Sequence, residues 1–87
     1  MRYRLRFHTT ALRQFRRLHG RLKDDFVAEI QGLLADPYPP YAKAMRDEWA
    51  GYHRIHVDGW RLVYRVDERT RIVIIERIRR RDANTYL

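Results

Sequence analysis

Cysteine is absent from this 87-residue chain. That rules out disulfide stapling, zinc–thiolate sites and cysteine nucleophiles, and it fits a cytoplasmic protein. No apolar run approaches the ~18 residues of a membrane span. The first ten residues, MRYRLRFHTT, lack the apolar core of a secretory signal, so no membrane role is expected. Acidic residues are also scarce: 11 Asp and Glu stand against 19 Lys and Arg, leaving a net charge of +8. Such a single-sign excess attracts nucleic acid, an acidic membrane surface or an acidic protein partner. A membrane surface would call for a basic amphipathic helix, and arginines carried on strands do not fit that reading.

What is present makes one small domain, residues 1–87. The hydrophobic fraction of 45% is enough for a core. A chain of this size still buries only roughly 60–65% of its unfolded surface, so its stability margin is thin.

Apolar Tyr3, Leu5 and Phe7 alternate with Arg2, Arg4 and Arg6, which predicts a half-buried first strand. Thr9 or Thr10 is then expected to cap a helix reaching about His19, with Gly20 ending it. A second helix is predicted over about residues 21–35, with Leu22, Phe26, Val27, Ile30, Leu33 and Leu34 turned inward. Asp36-Pro37 stops it. Between residues 42 and 51 the pattern supports only a short strand or turn, with Met45 and Trp49 partly buried. A polar turn at residues 67–70 leads to a last strand rich in Ile and Val, whose Ile72-Val73-Ile74-Ile75 run marks it as central or covered on both sides.

The stretch between these parts, YHRIHVDGWRLVYRV over residues 52–66, is the most informative. Asp58-Gly59 between two alternating apolar runs is a strong hairpin signal. Tyr52, Arg54 and His56 fall on one face, joined across the turn by Arg61, Val63 and Arg65. Ile55, Val57, Leu62, Tyr64 and Val66 fall on the other. The predicted fold is therefore α+β in the order β-α-α-β-β-β, a helical hairpin on one face of a small, mainly antiparallel sheet. The opposite face is open and cationic.

These residues resemble the RelE/ParE superfamily of toxins from type II toxin–antitoxin pairs, over essentially the whole chain. The resemblance is carried by the first strand, Thr10-Ala11-Leu12, Leu34-x-Asp36-Pro37, Tyr52-x-Arg54-Ile55-x-Val57, Gly59-Trp60-Arg61-Leu62-Val63-Tyr64, and the closing Arg80 with Tyr86. It implies a RelE-like fold and, on the RelE branch, a metal-independent, ribosome-dependent endoribonuclease that cleaves messenger RNA. The ParE branch instead poisons DNA gyrase. The RelE branch uses basic residues on the middle strands, an arginine after the Gly-aromatic pair and a late Arg…Tyr pair. Those positions fall here on Arg54 and His56, on Arg61, and on Arg80 or Arg81 with Tyr86. RelE itself has lysines at the places of Arg54 and His56. Arg65, Lys43 and Arg79 are expected to add RNA-binding charge. The implied partners are an acidic antitoxin, the ribosome and mRNA, with no cofactor and no metal. The charge excess is expected to disfavour self-association without the antitoxin.

RNA can be cut when a base deprotonates the 2′-hydroxyl for attack on the adjacent phosphate, while an acid protonates the leaving 5′-oxygen and cations stabilise the growing charge. Arg54 and Arg61 suit the phosphate, because guanidinium grips it bidentately. Arginine is a poor base, so His56 takes that role, with nearby arginines favouring its neutral imidazole. Arg80 or Arg81 serves as cation or acid, and Tyr86 stacks on a base or orients the nucleophile.

Other residues carry plainer readings. His8, His19 and His53 are ordinary histidines, and the His53-x-x-His56 spacing puts its two rings on opposite strand faces, unsuited to a zinc pair. Trp49 and Trp60 read as core or rim, Glu76 as an ion-pair partner for an arginine, and Asp24, Asp25 and Glu29 as a solvated helix face. Two alternatives to the nuclease remain: a ParE-like gyrase inhibitor and a catalytically inactive nucleic-acid-binding relative.

Overall fold

The computed structural model describes residues 2–80. Its elements run β1 (Arg4–Phe7), α1 (Thr9–Arg16), α2 (Gly20–Ala35), β2 (Lys43–Ala44), a 3-10 turn (Asp47–Trp49), β3 (His53–Val57), β4 (Trp60–Asp67) and β5 (Ile72–Arg80). The five strands form one sheet in the order β1-β5-β4-β3-β2. Only β1, against β5, pairs in parallel. The expected α+β class and helical pair are observed, and the extra strand β2 falls in the 42–51 segment where a strand or turn was expected.

The first helix is shorter than its apolar spacing implies. His8 caps it, with Nδ1 accepting a hydrogen bond from the Thr10 backbone N–H at 3.1 Å. The N–H groups of Arg17 and Leu18 donate to Gln14 and Phe15 oxygens at 3.1 Å, tightening the last turn into i→i+3 spacing and ending the helix early. Gly20, expected to close α1, begins α2 at φ +60, a left-handed conformation that glycine adopts without steric cost.

The Asp58-Gly59 turn has φ +46 and +69, the double left-handed geometry of a tight hairpin whose twist matches its strands. It fixes the register His56↔Arg61, Ile55↔Leu62 and Arg54↔Val63. Ile55, Leu62, Tyr64, Val73, Ile75 and Ile78 then meet Ala11, Leu18, Phe26, Ile30 and Leu33 of the helices in one buried cluster. Phe26 crosses Trp60 edge-on at 6.3 Å, which places Trp60 on the helix side of the sheet. Tyr64 is fully buried, and its hydroxyl donates to the Pro37 carbonyl at 2.8 Å, so the chain leaving α2 is fastened to the middle of the sheet. Burial first, and then the neighbouring Tyr38, push the Tyr64 hydroxyl far above the usual tyrosine range.

β5 is a central strand, as its apolar run predicts, but it is not regular. Its pairing with β4 shifts between Val63 and Tyr64: Val63 faces Arg77 and Tyr64 faces Ile75, so Glu76 is the extra residue of a bulge. Beyond the bulge the parity of the strand reverses. Ile75 and Ile78, three apart, both reach the core.

Two acidic residues read as solvated have partners. Tyr41 donates to Glu29 at 2.6 Å, and the Asp25 carboxyl is held above its ordinary range first by a hydrogen bond with Asp58 at the hairpin tip. At the far end of the sheet, Glu68 accepts from Tyr3 at 2.8 Å and from Tyr38, and Arg71 lies 4.1 Å from the centre of the Tyr3 ring.

Candidate functional site

The face of the sheet away from the helices is built by cross-strand register. His56 lies opposite Arg61, and Arg61 lies opposite Arg79. Lys43 lies opposite Arg54, and Arg54 opposite Val63, which in turn faces Arg77. Toward the other edge, Arg65 faces Ile74, and Ile74 faces Arg6. Directly opposed side chains sit about 4.5–5.5 Å apart at Cβ, close enough to act on one ligand. Lys43 against Arg54 and Arg61 against Arg79 are like-charged pairs, which cost stability and favour an anion between them.

Arg61 stands at the centre of this surface and is only 6% exposed, whereas His56 is exposed and Arg54 half-buried. A guanidinium so deeply covered departs from the expected solvent-facing arginine; Arg65, on the same face of the same strand, is exposed. The Arg54 Nε is buried without a hydrogen-bond partner among the described residues. A phosphate oxygen would satisfy it.

The late arginines separate by strand alternation. Arg79 joins Arg61 on the open face, while Arg80 lies opposite Trp60, on the helix side. This separates Arg80 from residues 54, 56 and 61, with which the resemblance groups it, and the cause is the bulge at Glu76. Arg81 and Tyr86, the other expected C-terminal site residues, lie outside the described residues.

Two shallow cavities border the cluster. One of about 210 Å³ is lined by Tyr41, Lys43, Arg54 and His56. Next to it, sharing Lys43 and Arg54, a cavity of about 450 Å³ opens along the 3-10 turn to Trp49. On the far side of the sheet face, Arg65 and His8 each approach Glu76 at 3.9 Å, in a cavity of about 350 Å³ that Tyr52 and Arg6 also line. Glu76 thus has the ion-pair role expected of it, and Arg65 shares its charge with that carboxylate. His53 stacks on Tyr64 at 5.6 Å on the opposite face from His56, so the two histidines are divided as their spacing implies.

Sequence reasoning missed three contributors to the open face. Arg6 was visible in the alternation of the first strand. Arg77 and Trp49 were not, because a bulge and an aperiodic segment place them there. Among the described residues, no group of three or more His, Cys, Asp and Glu side chains could hold a metal ion, and no helix is long and apolar enough to cross a membrane. The arrangement presents an exposed imidazole flanked by guanidinium groups on a flat, open surface. Such a surface admits an extended polyanion and offers both a proton acceptor and cations to a phosphodiester.

Comparison with known proteins gives matches over most of the chain. Residues 5–84 match the family described as ParE toxin of the type II toxin–antitoxin system, parDE. An Escherichia coli protein described as a RelE-like toxin is 26% identical over 99% of this chain and 92% of its own length. The RelBE2 toxin–antitoxin complex of Mycobacterium tuberculosis contains a chain 32% identical, with a TM-score of 0.77 over 93% of this chain and 100% of that one. The isolated E. coli RelE toxin superposes with a TM-score of 0.82 at 21% identity, over 94% of this chain and 87% of that one, a likeness of fold.

Proposed function

The chain belongs to the RelE/ParE superfamily of type II toxin–antitoxin toxins, and from that premise we propose that it is an endoribonuclease acting on ribosome-bound mRNA. The observation that carries this reading is the row His56–Arg61–Arg79 across three adjacent strands, with Arg54 and Lys43 beside it. His56 takes the proton of the ribose 2′-hydroxyl, and the freed oxygen attacks the adjacent phosphorus. Arg61 and Arg54 hold the non-bridging oxygens as negative charge grows on them. Arg79 supplies a further cation beside Arg61, and Arg81 and Tyr86 are assigned, from the resemblance alone, to the leaving oxygen and to base stacking. The 5′-oxygen leaves with a proton, and the upstream fragment ends in a 2′,3′-cyclic phosphate. No step requires a metal.

A flat, open face fits a substrate presented by a larger body, because it encloses too little of an RNA strand to hold it alone. The ribosome would supply that grip. An antitoxin is the second partner: the M. tuberculosis relative is found in a toxin–antitoxin complex, and a net charge of +8 favours an acidic segment. The test is translation in vitro with a defined message, with cut sites mapped by primer extension. Discrete cuts that need ribosomes support the nuclease.

A second reading, inhibition of DNA gyrase by binding, is favoured by the match of residues 5–84 to the ParE toxin family. It requires no imidazole among the arginines. Blocked supercoiling with intact message would establish it in place of the nuclease.

A further inference from the structure

Trp49 reads as core or rim from its place in the sequence, yet it stands on the open face. Its ring lies 5.9 Å from the Arg77 guanidinium and meets Tyr52 edge-on at 5.1 Å. The segment that carries it is closed on itself by backbone bonds: Trp49 N–H to Arg46 O at 3.0 Å, Tyr52 N–H to Trp49 O at 3.0 Å, and Met45 N–H to Tyr52 O at 2.9 Å. The half-buried indole is therefore held in place before any ligand arrives. Its remaining surface lines the cavity of about 450 Å³ that it shares with Asp47, Glu48, Lys43 and Arg54.

This cavity differs in chemistry from its neighbour. The 210 Å³ cavity has His56, Arg54 and Lys43 and no carboxylate, which suits a phosphate. The larger one adds an aromatic face, two exposed carboxylates and the exposed Arg46. Carboxylates repel phosphate but accept hydrogen bonds from the N–H groups of a base edge. Lys43 and Arg54 line both cavities, so a phosphate on them has its attached nucleoside within reach of Trp49.

We infer that Trp49, with Asp47 and Glu48, forms a nucleobase pocket next to the phosphate site, selecting a purine with N–H donors on its Watson–Crick edge. The indole stacks on the base, and the larger purine face gains more from it than a pyrimidine. This pocket rests on the reading of the open face as an RNA-binding surface and would give that surface a base preference at one nucleotide beside the bound phosphate.

The test is fluorescence titration of the full chain with two uncleavable RNA dinucleotides, UpG and UpU, each 2′-O-methylated on the first sugar. UpG is expected to quench tryptophan emission saturably and to bind roughly tenfold more tightly than UpU, with the quench lost in Trp49→Phe. Asp47→Asn combined with Glu48→Gln is expected to bring the two affinities together while quenching persists. Equal affinity of the unaltered chain for both dinucleotides, or a quench that survives in Trp49→Phe, overturns the pocket. The titration involves no cleavage and no ribosome. A chain that prefers UpG but never cuts message keeps the pocket and loses the nuclease, and one that cuts message but treats UpG and UpU alike does the reverse.

Discussion

Arg79 faces Arg61 directly across β4 and β5, while its neighbour Arg80 faces Trp60 on the other side of the sheet. Under the proposed nuclease reading, these two arginines adjacent in sequence have different work to do. Arg79→Ala is expected to slow message cleavage roughly 10²-fold, the cost of removing one group that stabilises charge in the transition state. Arg80→Ala is expected to change it less than about threefold. Single-turnover cleavage by the two variants on the same programmed ribosomes checks this, and equal losses would show that the register does not decide the role.

His56 is assigned the proton transfer because it is the one exposed imidazole placed opposite Arg61. His56→Ala is expected to lower the cleavage rate by roughly 10²–10⁴. With the unaltered chain, cleavage should rise with pH along an acid limb, as the imidazole loses its proton, and then level off. The variant should lack that rise. A pH–rate profile of the chemical step separates a base from a binding residue, because loss of binding alone leaves the shape of the profile intact.

Stability should respond to pH at both ends through the clamp on Glu68. Hydrogen bonds from Tyr38 and Tyr3 hold the Glu68 carboxyl below its ordinary range, so the folded state favours the ionised form. That stability is present above the unfolded carboxylate pKa and is lost as pH falls through the lower folded value. Tyr38 has the opposite dependence. Burial first, and then Glu68, push its hydroxyl up to about 12, so its contribution holds below the ordinary value of 10 and falls as pH rises from there through about 12. Glu68→Gln should flatten the acid limb of a thermal-denaturation series, and Tyr38→Phe the alkaline limb.

Asp25 and Asp58 run counter to Glu68. The hydrogen bond between them raises the Asp25 carboxyl, so the folded state favours its protonated form and loses stability as pH climbs from the ordinary carboxylate value through the raised one. Asp25→Asn keeps a hydrogen-bond donor toward Asp58 without the second charge. It should raise the melting temperature at pH 7 and have little effect at pH 3, the reverse of what removing a salt bridge would do.

The hairpin tip tests the local geometry. Gly59 has φ +69 and nothing near the place where a Cβ would sit, so a substitution there meets conformational strain and no clash. Gly59→Val is expected to cost roughly 1–2 kcal/mol, measured by urea denaturation. A neutral result would mean that the turn relaxes to another type.

The hairpin and the helix faces were legible in the sequence because each rests on a local rule: Asp-Gly for the turn, period two for its strands, and spacings of three and four for α2. The end of α1 was not, because the tight i→i+3 turn at Arg17 and Leu18 has no residue signature. β2 is two residues long and has no period to detect. The larger miss was Arg80. Counting alternately from Ile75 through a regular strand would put residues 77 and 79 on the core side; the bulge at Glu76 turns them outward and sends Arg80 inward. Such a bulge depends on pairing with β4, a long-range relation that β5 alone does not reveal. Arg54, His56 and Arg61 were found together because they lie on the regular part of the hairpin, before that irregularity.

The most direct test of a nuclease centred on Arg61 is cleavage of a defined message on purified, programmed ribosomes by the unaltered chain and by Arg61→Ala. The expected result is discrete cuts leaving 2′,3′-cyclic phosphate ends, reduced at least roughly 10²-fold in a variant that remains folded by circular dichroism. Intact message with the unaltered chain, alongside blocked supercoiling by DNA gyrase, would contradict it.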